Sequence, residues 1–246
     1  MSVDLNADVG EGAGSDADLI PLVTSVNVAC GAHAGTEADR RVALRTAATS
    51  GAVVGAHPSY PDRANFGRAV VAMSEADLEA SLLEQFGHLR ALCDELGCPP
   101  PRYVKPHGAL YHRAWAHVAT AEVLVRAIAS VGITCLLHAP EAATHRCAAR
   151  YGIRVVAEGF ADRRYAASGR LAPRDEPGAV LTAPSEVAAQ ALALATGGPL
   201  PGGSAPEPRR VESICVHGDS PGALALARAV RGGLSAVGVA IQPFIR

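Results

Sequence analysis

Short apolar runs alternate along the chain with longer Ala- and Leu-rich segments, and turn residues separate the two kinds. The apolar runs, which are typical of buried strands, are residues 3–5, 23–29, 52–56, 103–105, 134–137, 154–157, 179–181 and 213–216. The longer segments, which carry a helical pattern, are residues 36–49, 74–96, 118–131, 141–151, 184–196 and 221–237. Ser74 is followed closely by acidic residues, which predicts a capped helix start at that point.

This alternation predicts an α/β fold built from seven or eight βα units. The strands are too apolar to have one face in water, which favours a parallel sheet covered on both sides. We therefore expect one domain, residues 1–246, that forms a closed or distorted (β/α) barrel. An open doubly wound sheet stays open as an alternative, because periodicity does not reveal strand order. Residues 197–208, rich in Gly and Pro, are interpreted as a surface loop within the domain.

Composition and charge argue against some classes of binding partner. The 22 basic and 24 acidic residues nearly balance, which gives no electrostatic footprint for nucleic acid or for an anionic membrane. No apolar run approaches the roughly 18 residues of a membrane span, and Asp4 and Asp8 lie where a signal peptide needs basic and then apolar residues. We expect a cytoplasmic protein. The six cysteines form no CxxC pair, which argues against a disulfide framework or a structural zinc site.

Polar residues follow nearly every predicted strand. In a βα barrel these strand ends meet on one face, where active sites are built. In chain order the candidates are Asp4, Asn6, Asp8, Glu11, Asn27, Cys30, His33, His57, Lys105, His107, His138, Glu158, Asp162, Arg163, His217 and Asp219.

Lys105 is the only lysine among the 22 basic residues. The other 21 of these residues are arginines. The retained lysine therefore indicates that this position needs a compact ammonium, or an amine that can lose its proton. Because Pro106 follows it, the chain has no Walker A phosphate loop. A GxGxxG fingerprint is also absent, and Cys30 stays a minor candidate nucleophile.

Six segments together resemble one known family, LamB/YcsF. In chain order they read DLNADVGEG, SVNVACGAHAG, GAHPSYPDRANFGR, VKPHGALYH, EGFADRRY followed by GRLAPR, and CVHGD. They extend from Asp4 to Asp219, so the resemblance covers nearly the whole chain. The segment around His33 departs from the family pattern CGFHAGD at Ala32 and Thr36.

The resemblance implies a distorted βα barrel related to glycoside hydrolase and deacetylase barrels. It also implies a role as the A subunit of a bacterial 5-oxoprolinase. That enzyme converts 5-oxo-L-proline to L-glutamate with ATP and needs two further subunits, B and C. ATP is thus the expected cofactor of the complex, with its site on this chain or on a partner, and no metal ion is among the expected cofactors.

Ten of the candidates lie on the family's motif positions, and we assign the roles as a hypothesis. Asp8 or Glu158 with His57 would serve as the base. Lys105 and Arg163 would clamp negative charge. His107 or His217 would donate a proton, with Asp219 orienting the imidazole of His217. The catalytic set is therefore Asp8, His57, Lys105, His107, Glu158, His217 and Asp219, and the substrate-binding set is Asn6, Asn27, His33, Asp162 and Arg163.

Two other interpretations stay open. Asp8, His33 and His57 follow three successive strands and could hold a divalent ion, which would make the protein a metal-dependent deacetylase. Alternatively, the chain is a non-catalytic subunit whose pocket delivers 5-oxoproline to its partners.

Overall fold

Seven parallel strands close into a barrel in the computed structural model, which describes residues 1–201 and 210–245. Each strand pairs with the next along the chain, and β7 pairs back to β1. The strands are β1 (Ser2–Val9), β2 (Ser25–Ala29), β3 (Val53–His57), β4 (Tyr103–Val104), β5 (Cys135–His138), β6 (Arg154–Phe160) and β7 (Ser213–His217), and a short β8 (Ala240–Ile241) joins the start of β1. The predicted barrel is confirmed.

Helices surround the barrel and cover its outer surface. They are α1 (Asp16–Leu19), α2 (Glu37–Ser50), α3 (Glu75–Leu96), α4 (Gly108–Ala116), α5 (Val118–Ser130), α6 (Ala143–Ala149), α7 (Pro184–Thr196) and α8 (Ala223–Ala236). The predicted cap is confirmed, because the Ser74 side chain accepts a hydrogen bond from the Asp77 backbone. Thr36 caps α2 in the same way. The helix start is therefore retained although Thr36 departs from the family pattern. Among the described residues, no helix is long and apolar enough to cross a membrane.

The side of the barrel interior formed by β1 is polar, because the side chains of β1 alternate between the two faces of the sheet. Leu5 and its apolar neighbours on β1 belong to the hydrophobic core, whereas Asp4, Asn6 and Asp8 contact polar groups of other strands. Asp4 accepts hydrogen bonds from Ser25 and Ser213, and burial nevertheless raises its pKa to about 6. Successive polar layers thus lead up the barrel to the carboxyl ends of the strands.

One predicted strand is wrong, and three elements were not predicted. Residues 179–181 are not a strand: Val180 makes only an isolated antiparallel bridge with Arg163. Helices α1 and α4 and strand β8 were not predicted. Helix α4 begins at a glycine two residues after Pro106, a sequence typical of a turn. Most of the predicted surface loop, residues 202–208, lies outside the described residues.

Candidate active site

The carboxyl ends of the barrel strands surround a cavity of about 460 Å³. The loops that follow the strands of a βα barrel meet at this end, and the volume is within the range of small-molecule sites. The polar residues that line the cavity are Asp8, His57, Arg68, Lys105, His107, His112, Arg163, Arg174, Asp175 and His217. Its apolar walls include Tyr111, Phe160 and Leu171.

The ammonium of Lys105 lies in a buried cluster that we call the lysine centre, formed by Lys105, Asp8, Glu158, Cys215 and Asn6. Lys105 Nζ donates to Asp8 Oδ1 at 2.8 Å and lies 2.9 Å from Glu158 Oε1. It also lies 3.1 Å from Cys215 Sγ and 3.4 Å from Asn6 Oδ1. The lysine is only 2% exposed. Protein atoms therefore take up the donor capacity of this ammonium.

The charges of the lysine centre determine which of its groups are ionised. Burial works against the ammonium, but the neighbouring carboxylates, Asp8 foremost, hold the pKa of Lys105 well above its usual value. Burial also opposes ionisation of Asp8, but the neighbouring side chains of His57 and Lys105 hold the pKa of that carboxyl well below its usual value. For Glu158, burial outweighs the attraction of Lys105 and raises the pKa. Of the two roles predicted for the lone lysine, the geometry thus favours a compact ammonium over a free amine.

A second group, which we call the histidine cluster, consists of Glu11, His33, His57 and His107. One donor atom from each lies within 4.8 Å of the others, and all four residues are buried. His57 Nε2 lies 3.0 Å from His107 Nδ1, and His33 Nε2 lies 3.0 Å from Glu11 Oε1. Gly67 lets its loop pass close by, because a Cβ there would lie 2.7 Å from His33 Cβ and 2.8 Å from His107 Cδ2.

The structure groups the possible metal-ligating residues differently from the set proposed for a deacetylase. An alternative prediction placed a divalent ion between Asp8, His33 and His57. The two histidines group with Glu11 and His107, and Asp8 groups with Cys215 and His217, although Asp8 Oδ2 also lies 3.5 Å from His57 Nε2.

His217 is oriented by Asp162 and not, as predicted, by Asp219. Its Nδ1 donates to Asp162 Oδ1 at 2.8 Å, and Ser220 Oγ donates to the other carboxylate oxygen at 2.6 Å. The ring of His217 also stacks on Phe160, with 5.5 Å between ring centroids. This arrangement directs the other ring nitrogen, Nε2, away from Asp162 and fixes His217 at the edge of the cavity.

Asp219 pairs with two arginines at the mouth of the cavity. It accepts hydrogen bonds from Arg68 at 2.5 Å and from Arg174 at 3.1 Å. Arg163, by contrast, is buried, and its Nη2 donates to the Ala172 carbonyl at 2.7 Å. In the described part of the chain its Nε has no hydrogen-bond partner and no carboxylate lies within ion-pair distance. Arg163 is thus the cation of this pocket that is best placed to receive an anion.

The remaining site candidates divide between the barrel interior and the pocket. Asn27 donates to Asp8 at 2.7 Å and to Asn6 at 2.8 Å, so the two asparagines support the lysine centre from below. They do not line the cavity. Sequence reasoning passed over Cys215 because a cysteine in an apolar strand looks like core. It noted Glu11 only as a polar residue after a strand.

We expect Asp162→Asn to lower the pKa of His217. Burial lowers that pKa, but the carboxylate of Asp162 outweighs burial and holds it above the usual 6.5, while His217 holds the pKa of Asp162 below its usual value. The raised histidine pKa stabilises the fold fully below pH 6.5 and loses this effect as the pH rises through the folded-state pKa. The lowered aspartate pKa stabilises the fold above pH 3.8 and loses its effect as the pH falls.

NMR titration of the His217 ring protons measures this shift directly. The midpoint for His217 in Asp162→Asn should move to lower pH. An unchanged midpoint for His217 would mean that Asp162 does not set its charge.

Fold and cavity together define a parallel βα-barrel protein with a buried, charged cavity at the carboxyl ends of its strands. The chain belongs to the LamB/YcsF family, whose model matches residues 3–246. It is 45% identical to the 5-oxoprolinase A subunit of Paracidovorax citrulli, over 99% of this chain and 100% of the relative. It is 44% identical to the protein of the same name from Mycobacterium avium, over 98% of each chain.

A solved structure agrees with this assignment. The lactam utilization protein of Thermus thermophilus superposes with a TM-score of 0.88 at 39% sequence identity. The match covers 99% of this chain and 100% of the other. The barrel fold is therefore shared over the full length of that protein.

Proposed function

We propose that this chain is the A subunit of a 5-oxoprolinase, and that it opens the lactam ring of 5-oxo-L-proline to give L-glutamate in an ATP-dependent complex with subunits B and C. The observation that carries the proposal is the composition of one cavity. It brings together an oriented histidine, a buried ammonium paired with a carboxylate, and an arginine that has no carboxylate partner among the described residues. The names of the family relatives give the lactam as the substrate that fits these groups.

The cavity suits a small cyclic amide that carries a carboxylate. The guanidinium of Arg163 would pair with the substrate carboxylate, because its Nε is buried and, within residues 1–201 and 210–245, lacks a hydrogen-bond acceptor. Phe160, Tyr111 and Leu171 would contact the methylene groups of the ring. With the carboxylate held at Arg163, the lactam group would lie towards Asp8 and His217, which line the same cavity.

The chemistry must overcome an unreactive amide and a poor leaving group. Phosphorylation of the lactam oxygen by ATP gives an activated imidate, and water then adds to the former carbonyl carbon. The carbon–nitrogen bond breaks as the ring nitrogen accepts a proton, which leaves an acyl phosphate. A second water releases phosphate and forms the glutamate side chain. The enzyme must therefore supply a base, a proton donor and cations.

The residues of this chain divide these tasks. His217 has a raised pKa, so at neutral pH it carries a proton more often than a free histidine and would give it to the ring nitrogen. Asp8 stays ionised beside Lys105, and its Oδ2 would orient the attacking water. Lys105 would keep Asp8 ionised and in position and would not clamp an anion directly, because protein atoms surround its ammonium.

We expect this chain alone to release little or no glutamate from 5-oxo-L-proline and ATP. It has no Walker A loop, and its relatives are named as one subunit of an enzyme. The test measures glutamate release by the chain alone, by subunits B and C alone, and by all three together. Only the complete mixture should be active.

Each other outcome counts against a stated part of the proposal. Robust ATP-dependent turnover by the chain alone would contradict the need for partners. Chelator-sensitive hydrolysis of N-acetyl sugars without ATP would instead support the deacetylase interpretation. Full activity of a complex with substituted Lys105 and His217 would leave the chain only a delivery role.

A further inference from the structure

Backbone carbonyls determine the protonation of two rings in the histidine cluster. His57 Nδ1 lies 2.7 Å from the Lys105 carbonyl oxygen, and His107 Nε2 lies 2.8 Å from the Phe66 carbonyl oxygen. A carbonyl oxygen only accepts hydrogen bonds, so both of these nitrogens carry hydrogen and donate. In the neutral rings, the lone pairs are therefore on His57 Nε2 and His107 Nδ1.

These two nitrogens face each other at 3.0 Å. Two lone pairs at that distance repel each other. The arrangement therefore requires a proton or a metal cation between or beside the two nitrogens. Glu11 adds a third donor atom, because its Oε1 lies 3.4 Å from His107 Nδ1 and 3.7 Å from His57 Nε2. The three atoms form a triangle of donors around one point.

We propose that His57 Nε2, His107 Nδ1 and Glu11 Oε1 bind one divalent transition metal ion, with donor chemistry that suits Zn²⁺. Ligand atoms about 2.0–2.2 Å from a zinc ion, at angles of about 90° to 120°, lie roughly 3.0–3.7 Å from one another. The observed separations of 3.0, 3.4 and 3.7 Å match this range. Two imidazoles and one carboxylate are also a common ligand set for catalytic zinc and for related ions.

The surroundings of the triangle support a metal. The carbonyl partners of His57 and His107 orient the rings as outer-shell acceptors do in metalloproteins. The lysine centre and the histidine cluster together bury the carboxyl groups of Asp8, Glu11 and Glu158, and the ammonium of Lys105 contacts Asp8 and Glu158 but not Glu11. Buried charge without a counter-charge is unfavourable, and a divalent cation beside Glu11 reduces that cost.

His33 is a positioning residue in this arrangement. Its ring stacks on His107 with 3.9 Å between centroids and 7° between planes. A metal in the plane of the His107 ring lies well outside the parallel plane of His33, so the two rings cannot share it. His33 Nε2 instead contacts Glu11 Oε1 at 3.0 Å and holds the carboxylate in place.

The other group of possible ligands, Asp8, Cys215 and His217, already surrounds a cation. Lys105 Nζ lies 2.8 Å from Asp8 Oδ1 and 3.1 Å from Cys215 Sγ. A metal there would have to displace the ammonium. The histidine cluster has no such occupant among the described residues. His57 and His107 also line the cavity, so an ion bound to them would have coordination positions open to small molecules.

The test uses the full chain, stripped of metal with a chelator and titrated with Co²⁺ as a spectroscopic substitute for Zn²⁺. We expect one ion per chain, visible d–d absorption without a thiolate charge-transfer band, and competition by Zn²⁺. Glu11→Gln and His107→Gln should each weaken Co²⁺ binding by about 100-fold or more. His112→Gln, which removes another histidine of the cavity, should bind Co²⁺ like the unaltered chain.

Imidazole ¹⁵N spectra of the unaltered chain test the same site without any substitution. Zinc should shift His57 Nε2 and His107 Nδ1 and leave hydrogen on the opposite nitrogen of each ring. Failure to bind Co²⁺ would mean that a shared proton holds the pair, and a thiolate band would place the ion at Cys215. Either result, or binding that survives both Glu11→Gln and His107→Gln, would overturn the proposal. None of these measurements depends on lactam turnover.

Discussion

Lys105→Arg should lower the kcat of the reconstituted complex almost as much as Lys105→Met, although arginine keeps the positive charge. The ammonium contacts Asp8, Glu158 and Cys215 at 2.8–3.1 Å within a buried space. A planar guanidinium is too large for this position and presents its hydrogens in a fixed fork. Loss of one preorganised charge at a transition state costs about 10²-fold or more in rate.

Lys105→Met should also destabilise the fold. Removing one partner of a buried ion pair leaves the carboxylates without a counter-charge, which costs about 3–5 kcal/mol in the free energy of unfolding. Thermal unfolding, assembly with the partner subunits and steady-state kinetics separate the two effects. Arg90→Lys in the exposed pair with Asp94 is the matched control and should change neither stability nor rate. Normal activity in Lys105→Arg would mean that the lone lysine reflects composition and not function.

His217→Gln should lower kcat by roughly 10²–10⁴-fold, the usual contribution of a positioned general acid or base. Its Nδ1 is held by Asp162 and its ring by Phe160, so one nitrogen is left for substrate chemistry at the cavity. Glutamine keeps a donor near the Asp162 carboxylate but cannot exchange a proton near neutral pH. KM for 5-oxo-L-proline should change little, because Arg163 and not His217 is assigned to the substrate carboxylate.

The pH profile of kcat distinguishes this role from a structural one. The pH dependence that comes from His217 should disappear in His217→Gln, and in Asp162→Asn its midpoint should move to lower pH. His88→Gln, on the exposed face of α3, should behave like the unaltered chain. A His217→Gln complex with normal kcat would exclude His217 as the proton donor.

The predictions of local structure succeeded where one strong pattern covers a whole element. The helix predicted at 184–196 matches α7 residue for residue. The helix predicted at 74–96 is α3, which begins one residue later than predicted. The prediction for β1 was too short because the polar residues that follow Leu5 look like a loop. They belong to a strand whose inner face lines the barrel and is satisfied by Ser25, Asn27 and Ser213.

For the site, the sequence predicted which residues belong to it better than which of their side chains contact each other. The prediction that Asp8, His57, Lys105 and His217 meet at one end of the barrel needed only their positions at the ends of strands. The partner of His217 was assigned by proximity in the chain to Asp219, two residues away. The contact is made with Asp162, 55 residues away, because β6 and β7 are neighbours in the barrel.

The sequence by itself determined the α/β class, the helices and strands with strong periodicity, the family, and the set of polar residues at the strand ends. Only the tertiary structure decided that two carboxylates surround the ammonium of Lys105, that Arg163 lacks a carboxylate partner among the described residues, and that two imidazole lone pairs face each other beside Glu11. The reason is that periodicity reports which face of an element is buried. Pairing between side chains also depends on strand order, register and loop path, which join residues far apart in the chain.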